Sequence, residues 1–125
     1  MLIYIGADHR GFELKEKIKN LLKLRGYAAV DLGNVRYNEN DDYPLFAVKV
    51  AQQVSSEFET ARGILLCGSG VGVSVVANKF QHIRAALAAT PDQAFDSRNE
   101  DDSNILSLGA DYLDEEAAKK IVLTW

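Results

Sequence analysis

The chain has 125 residues, of which 47 % are apolar and 26 % charged, with a formal net charge of −4. That length and balance fit one globular domain, residues 1–125, large enough to bury a core. The acidic charge argues against nucleic acid or an anionic membrane as the main partner, and no apolar run approaches the ~20 residues that span a bilayer.

The first apolar run, Leu2 to Ile5, stops at Gly6 and reads as a buried strand. The opening MLIYIGADHRG has neither the positive flank nor the small-residue cleavage site of a signal peptide. One cysteine cannot form an internal disulfide, and a lone thiol suits a reducing compartment, so the expected location is the cytoplasm. Leu14, Ile18, Leu21 and Leu22 then form one apolar helix face, with Lys15, Glu16, Lys17, Lys19 and Lys23 on the remainder. Gly26 ends this helix. Ala28 to Leu32 is a second strand. Gly33 to Pro44 is polar and reads as a long loop, a type that often carries function. Ala47, Val50, Ala51 and Val54 give a second helix face.

Gly63 to Leu66 reads as a third strand and Val73 to Phe80 as a third helix. Ile83 to Ala88 is a fourth strand. Thr90-Pro91-Asp92-Gln93 is a helix start, with a cap, a proline for the first turn and a glutamine placed for a capping box. Asn104 to Leu108 is a fifth strand, and Asp114 opens a last helix whose first turn holds Glu115 and Glu116. Strand and helix alternate throughout. The fold class is therefore α/β, with right-handed crossovers and a parallel sheet covered on both faces. Ligands in such folds bind beyond the carboxyl ends of the strands. Asp8 and His9, the stretch Cys67 to Gly72, and Thr90 all fall there.

Gly68, Gly70 and Gly72 lie between a strand and a helix. They either let backbone N–H groups converge on an anion or form a tight turn with no ligand. The spacing is neither the dinucleotide fingerprint nor a Walker loop. Cys67 precedes them. It is either a small buried hydrophobe or a thiolate base on a carbon acid, with the loop N–H groups holding the oxyanion. Asp8-His9 is either a ligand contact or a cap. His82 reads as a surface loop residue, and the run Asn99-Glu100-Asp101-Asp102 as a solvated helix end rather than a metal site. Tyr43 is either core packing or a pocket wall.

The stretches IGADHRGFELKEKI, DYPLFA, GILLCGSGVGVSVVANK, IRAALA and SNILSLGADYL occur in order along nearly the whole chain. Together they resemble the family of ribose-5-phosphate isomerase B and the galactose-6-phosphate isomerase subunits. The resemblance implies a Rossmann-like, three-layer α/β/α sandwich around a five-stranded parallel sheet, and dimers or dimers of dimers with the active site at a subunit interface. It implies aldose–ketose isomerisation of a phosphorylated sugar through a cis-enediolate, with no metal or organic cofactor. By position, Cys67 matches the base and Ser69 the hydroxyl beside it. Gly68, Gly70, Val71 and Gly72 match the enediolate cradle. Asp8, His9 and Tyr43 match substrate contacts. Glu100 stands where the family's ring-opening histidine usually is, so ring opening falls to Glu100 of a partner chain or to His9. Asp101 stands at a substrate-binding asparagine, and Asp111 where many members have a phosphate-contacting arginine. Family members also continue past position 125 with arginines that grip the phosphate. Arg10, Arg36 and a partner's Arg98 are the cations left for that task. These departures leave open a binding module that has lost turnover, or a subunit that works beside a different one. A nucleotide-binding regulator using the same glycine loop is a third reading.

Overall fold

The computed structural model describes residues 1–125. In chain order the elements are β1 (Leu2–Ala7), a 3-10 turn (His9–Gly11), α1 (Phe12–Leu24), β2 (Ala28–Asp31), α2 (Tyr43–Ser56) and β3 (Ala61–Cys67). They continue as α3 (Val71–Ala77), β4 (Ala85–Leu87), α4 (Pro91–Asp101), β5 (Ile105–Gly109) and α5 (Glu115–Thr124). All strand pairings are parallel, in the order β2-β1-β3-β5-β4.

Side-chain alternation along the strands builds two cores. Ile3, Ile5, Ala7, Ile64, Leu66, Leu106 and Leu108 face α1, α4 and α5. Tyr4, Leu65, Cys67 and Ile105 face α2 and α3. The result is the expected three-layer sandwich, with both sheet faces covered as parallel strands require. The path from β1 to β2 leaves to one side of β1, whereas β3 pairs with β1 on the other. The carboxyl ends of β1 and β3 therefore flank the topological switch point, where the splayed connections leave a crevice. Asp8 follows one strand, and Cys67 ends the other.

The helix starts follow their caps. Thr90 Oγ1 accepts the Gln93 N–H at 3.1 Å, while Gln93 Oε1 accepts the Ala89 N–H at 2.7 Å. Asp114 Oδ1 accepts the Ala117 N–H at 2.7 Å. Gly26, with φ +81°, ends α1 in the left-handed region.

Several boundaries move. The polar loop ends at Asp42, not Pro44. Asp42 caps α2 by accepting the Tyr43 N–H at 2.9 Å, and Pro44 sits in the first turn. Helix α3 runs from Val71 to Ala77 instead of 73 to 80. Strand β4 shortens to Ala85–Leu87. On its outer edge the Asn78 amide donates to Ala85 O at 3.0 Å and accepts the Ala85 N–H at 2.8 Å, standing in for a neighbouring strand.

The larger correction is Lys15, expected on the solvated side of α1 but fully buried. Its Nζ lies 2.9 Å from Asp31 Oδ2 and donates to the Asn34 carbonyl at 2.7 Å. It also stands 4.8 Å from the centre of the Phe12 ring. Asp31 in turn accepts from Lys19 at 2.8 Å and from the Gly33 N–H at 2.8 Å. A helix-period pattern assigns a lysine to water by type, whereas this ammonium pins the start of the 33–42 loop against α1.

Candidate active site

Cys67 is the last residue of β3 and 4 % exposed. The chain turns sharply after it. Gly70 sits at φ +78°, and a Cβ there would fall 2.6 Å from Leu87 Cδ1 and 2.8 Å from the Gly109 nitrogen. Only glycine fits, on both counts. The turn aims the Gly70 N–H at Cys67 Sγ, 3.2 Å away. An N–H donor interacts more strongly with an anionic acceptor than with a neutral one. Ser69 is exposed, and its Oγ accepts the Val71 N–H at 3.1 Å. The Tyr43 ring packs on Gly72 so closely that a Cβ there would come within 2.5 Å of it.

These residues border a cleft of about 410 Å³, completed by Asp8, Arg10, Gly68 and Val75. Asp8 is 5 % exposed and caps the 3-10 turn, accepting the Arg10 N–H at 3.0 Å and the Gly11 N–H at 3.2 Å. Burial pushes its carboxyl pKa up and outweighs the lowering by those two donors. The cap reading of Asp8 holds, and the residue also walls the cleft. Arg10 lies across Gly68 and pairs with Asp111, whose N–H donates to the Gly68 carbonyl at 2.9 Å.

His9 stands at the rim, beside Asp8 and Arg10 but outside the cleft wall itself. One carboxylate oxygen, Asp41 Oδ1, accepts both the His9 backbone N–H at 2.8 Å and the ring Nδ1–H at 2.9 Å. Asn34 holds the other oxygen at 2.8 Å. The Tyr37 ring meets His9 edge-on at 6.3 Å. Asp41 escaped the sequence reading because the contact spans 32 residues and the loop has no periodicity.

The Asp41 hydrogen bond raises the His9 pKa above its ordinary 6.5. The sign follows from linkage: the stabilisation is complete below about pH 6.5 and is lost as the pH rises through the folded value. Asp41→Asn removes the charge that holds the imidazolium. The His9 ring resonances, followed by NMR against pH, then titrate at lower pH than in the parent chain. An unchanged midpoint would show that Asp41 does not govern this ring.

The ribose/galactose isomerase family profile matches residues 3–125. The chain belongs to that family. It is 43 % identical over 123 residues to the ribose-5-phosphate isomerase B of Escherichia coli, covering 98 % of this chain and 81 % of that one. The Mycoplasma genitalium enzyme, solved with ribulose 5-phosphate bound, superposes with a TM-score of 0.96 at 39 % identity, over 98 % of this chain and 81 % of that one. The Clostridium thermocellum ribose-5-phosphate isomerase B superposes with a TM-score of 0.94 at 45 % identity, over 100 % and 83 %.

In this member of the isomerase family, β1, β3 and the start of α2 bring Asp8, Cys67, Gly68, Ser69, Val71, Gly72 and Tyr43 to one cleft. Gly70 lies beneath them. Glu100 and Asp101 are elsewhere. Helix α4 runs back along the sheet, and the Asp101 carbonyl accepts from Arg84, just ahead of β4. These two acids therefore lie near the opposite end of the sheet from Cys67, about 20 Å away by the rise of a seven-residue strand. Of the cations considered for a phosphate, Arg10 is engaged with Asp111, Arg36 is exposed in the 33–42 loop, and Arg98 is bound to Asp102 at 3.1 Å beside Glu100. No three His, Cys, Asp or Glu side chains stand together as a metal site would need. No helix is long and apolar enough to cross a membrane.

Proposed function

We propose that this chain, as a single domain, is a cytoplasmic aldose–ketose isomerase that interconverts ribose 5-phosphate and ribulose 5-phosphate. The observation that carries this reading is the Cys67 sulfur at the floor of the cleft with the Gly70 N–H directed at it. A thiolate there takes the C2 proton of the open-chain aldose. The C1–C2 bond becomes double, and the negative charge passes to O1, where the N–H groups of the 68–72 loop stabilise it. A proton exchanges between O1 and O2, and the proton on sulfur returns to C1. No electron leaves the substrate, so no redox cofactor is needed.

Ser69 positions sulfur and substrate, while Asp8 and Tyr43 contact the sugar. His9, or Glu100 and Asp101 of a second copy, serves ring opening and binding. Assembly as a homodimer, or a dimer of dimers, is supported by two observations. Val71 and Val75, one turn apart on α3, and Leu87 expose apolar side chains near the cleft. Glu100 lies too far from its own Cys67 to act within one chain.

The test is NMR of ribose 5-phosphate in D₂O with the protein. The proton held on sulfur exchanges with solvent between the two transfers, so the expected result is deuterium at C1 of the ribulose 5-phosphate formed and, through the reverse reaction, at C2 of the ribose 5-phosphate. Saturable binding with neither exchange nor product would instead support a binding module, the reading favoured by Asp111 neutralising Arg10.

A further inference from the structure

The largest cavity in the fold is not the Cys67 cleft. It measures about 630 Å³, inside the range of small-molecule sites, and opens at the amino ends of the strands. Arg62 at the start of β3, Arg84 just ahead of β4, and Arg98 in the last turns of α4 converge on it. Asp102 and Glu59 are the carboxylates in its wall. Three guanidinium groups against two carboxylates make a cationic cavity in a chain of net charge −4.

The three arginines are not equally engaged. Arg98 Nη1 holds Asp102 at 3.1 Å and the Ser103 carbonyl, and Arg84 Nε donates to the Asp101 carbonyl, so both tie down the end of α4. Arg62 makes no ion pair and no side-chain hydrogen bond. It rests on the face of Trp125, 5.5 Å from the ring. Burial and the neighbouring Arg98 charge depress its pKa below the usual guanidinium value, which marks a cation short of counter-charge. A guanidinium offers paired donors that match phosphoryl oxygens, and beside a second guanidinium it favours a dianion over a carboxylate.

We propose that this cavity is a second anion site, distinct from the Cys67 cleft of its own chain, that takes a phosphoryl group, free or as a phosphomonoester, on Arg62 and Arg98. A ligand bound there sits about a strand's length from the Cys67 of its own chain and touches none of that chain's cleft residues. The site stands whether or not the chain is an isomerase.

Trp125 is the only tryptophan in the chain and lies against Arg62, so its fluorescence reports on this cavity. The chain is titrated with inorganic phosphate and, separately, with ribose 5-phosphate, at ionic strength held constant with chloride. The expected result is a saturable change in Trp125 emission that survives Cys67→Ala. The midpoint should rise at least about tenfold in Arg62→Ala, with Arg62→Lys in between, since removing a charged hydrogen-bond partner has effects of this size. Equal midpoints for the two ligands identify free phosphate as sufficient, and a lower midpoint for the sugar phosphate identifies the ester. Parallel ³¹P line-broadening keeps the test valid if Arg62→Ala alters the tryptophan itself. A response that chloride reproduces, one lost in Cys67→Ala, or an unchanged midpoint in Arg62→Ala overturns the proposal.

Discussion

Cys67→Ala turns over ribose 5-phosphate about 10²–10⁴-fold more slowly than the parent chain, the range for losing a general acid–base group. The side chain is small and nine-tenths or more buried, so the substitution leaves little void and the fold survives. It does leave the Gly70 N–H without its acceptor. Cys67→Ser separates the two effects. A hydroxyl restores an acceptor for Gly70 but is far too weak a base at neutral pH, so stability recovers while turnover does not. Both rates are read from the appearance of ribulose 5-phosphate. If both variants work at the parental rate, the base is another cleft residue, and Asp8 with its raised pKa is the next candidate.

Lys15→Met destabilises the fold by about 3 kcal/mol, read as a lower urea midpoint at unchanged slope. The figure sits at the lower end for a broken buried pair because Lys19 remains on Asp31 at 2.8 Å. Two groups are stranded. The Asp31 carboxylate loses one of its two ammonium partners, and the Asn34 carbonyl loses its donor. The lowered pKa of Asp31 sets the pH window. Its stabilisation is present above the unfolded value of about 3.8 and fades as the pH falls through the lower folded value. Lys15→Met with Asp31→Asn recovers part of the loss, since the uncompensated charge is then gone. A single-variant change within about 0.5 kcal/mol would place this contact among ordinary surface pairs. The effect also reaches His9: Asn34 joins Lys15 to Asp41, and Asp41 holds His9.

The frame of the molecule was legible because local rules and tertiary packing agree there. Thr90 and Asp114 cap the helices they were expected to cap, and Gly26 stops α1. The apolar runs at Ile3, Ile64 and Leu106 are strands buried on both faces. The cleft was legible for a related reason. Strand ends in a parallel sheet gather at one edge, so Asp8 and Cys67 meet although 59 positions separate them in the numbering.

What stayed hidden is polar and long-range. Lys15 takes a core position through partners at 31 and 34 that no helical periodicity reveals. The Asp41 clamp on His9 and the Arg10–Asp111 pair join segments far apart in the chain. Tyr43 and Pro44 read as loop because their polar run-up is loop-like, yet Asp42 caps a helix there. The proposed oligomer, on which the proposed roles of Glu100 and Asp101 turn, leaves no local signature in either residue.

The turn that holds Cys67 also fixes what oxidation would do to it. As the thiolate base proposed above, Cys67 would be in the form of cysteine that peroxide converts to sulfenic acid. Such a product is ordinarily rescued by a second thiol nearby, and this chain has no other cysteine to offer. Recovery would then depend on a small thiol entering from solvent through the cleft that borders Cys67. Bound sugar phosphate would shield the sulfur, so damage would fall on idle molecules and spare those at work.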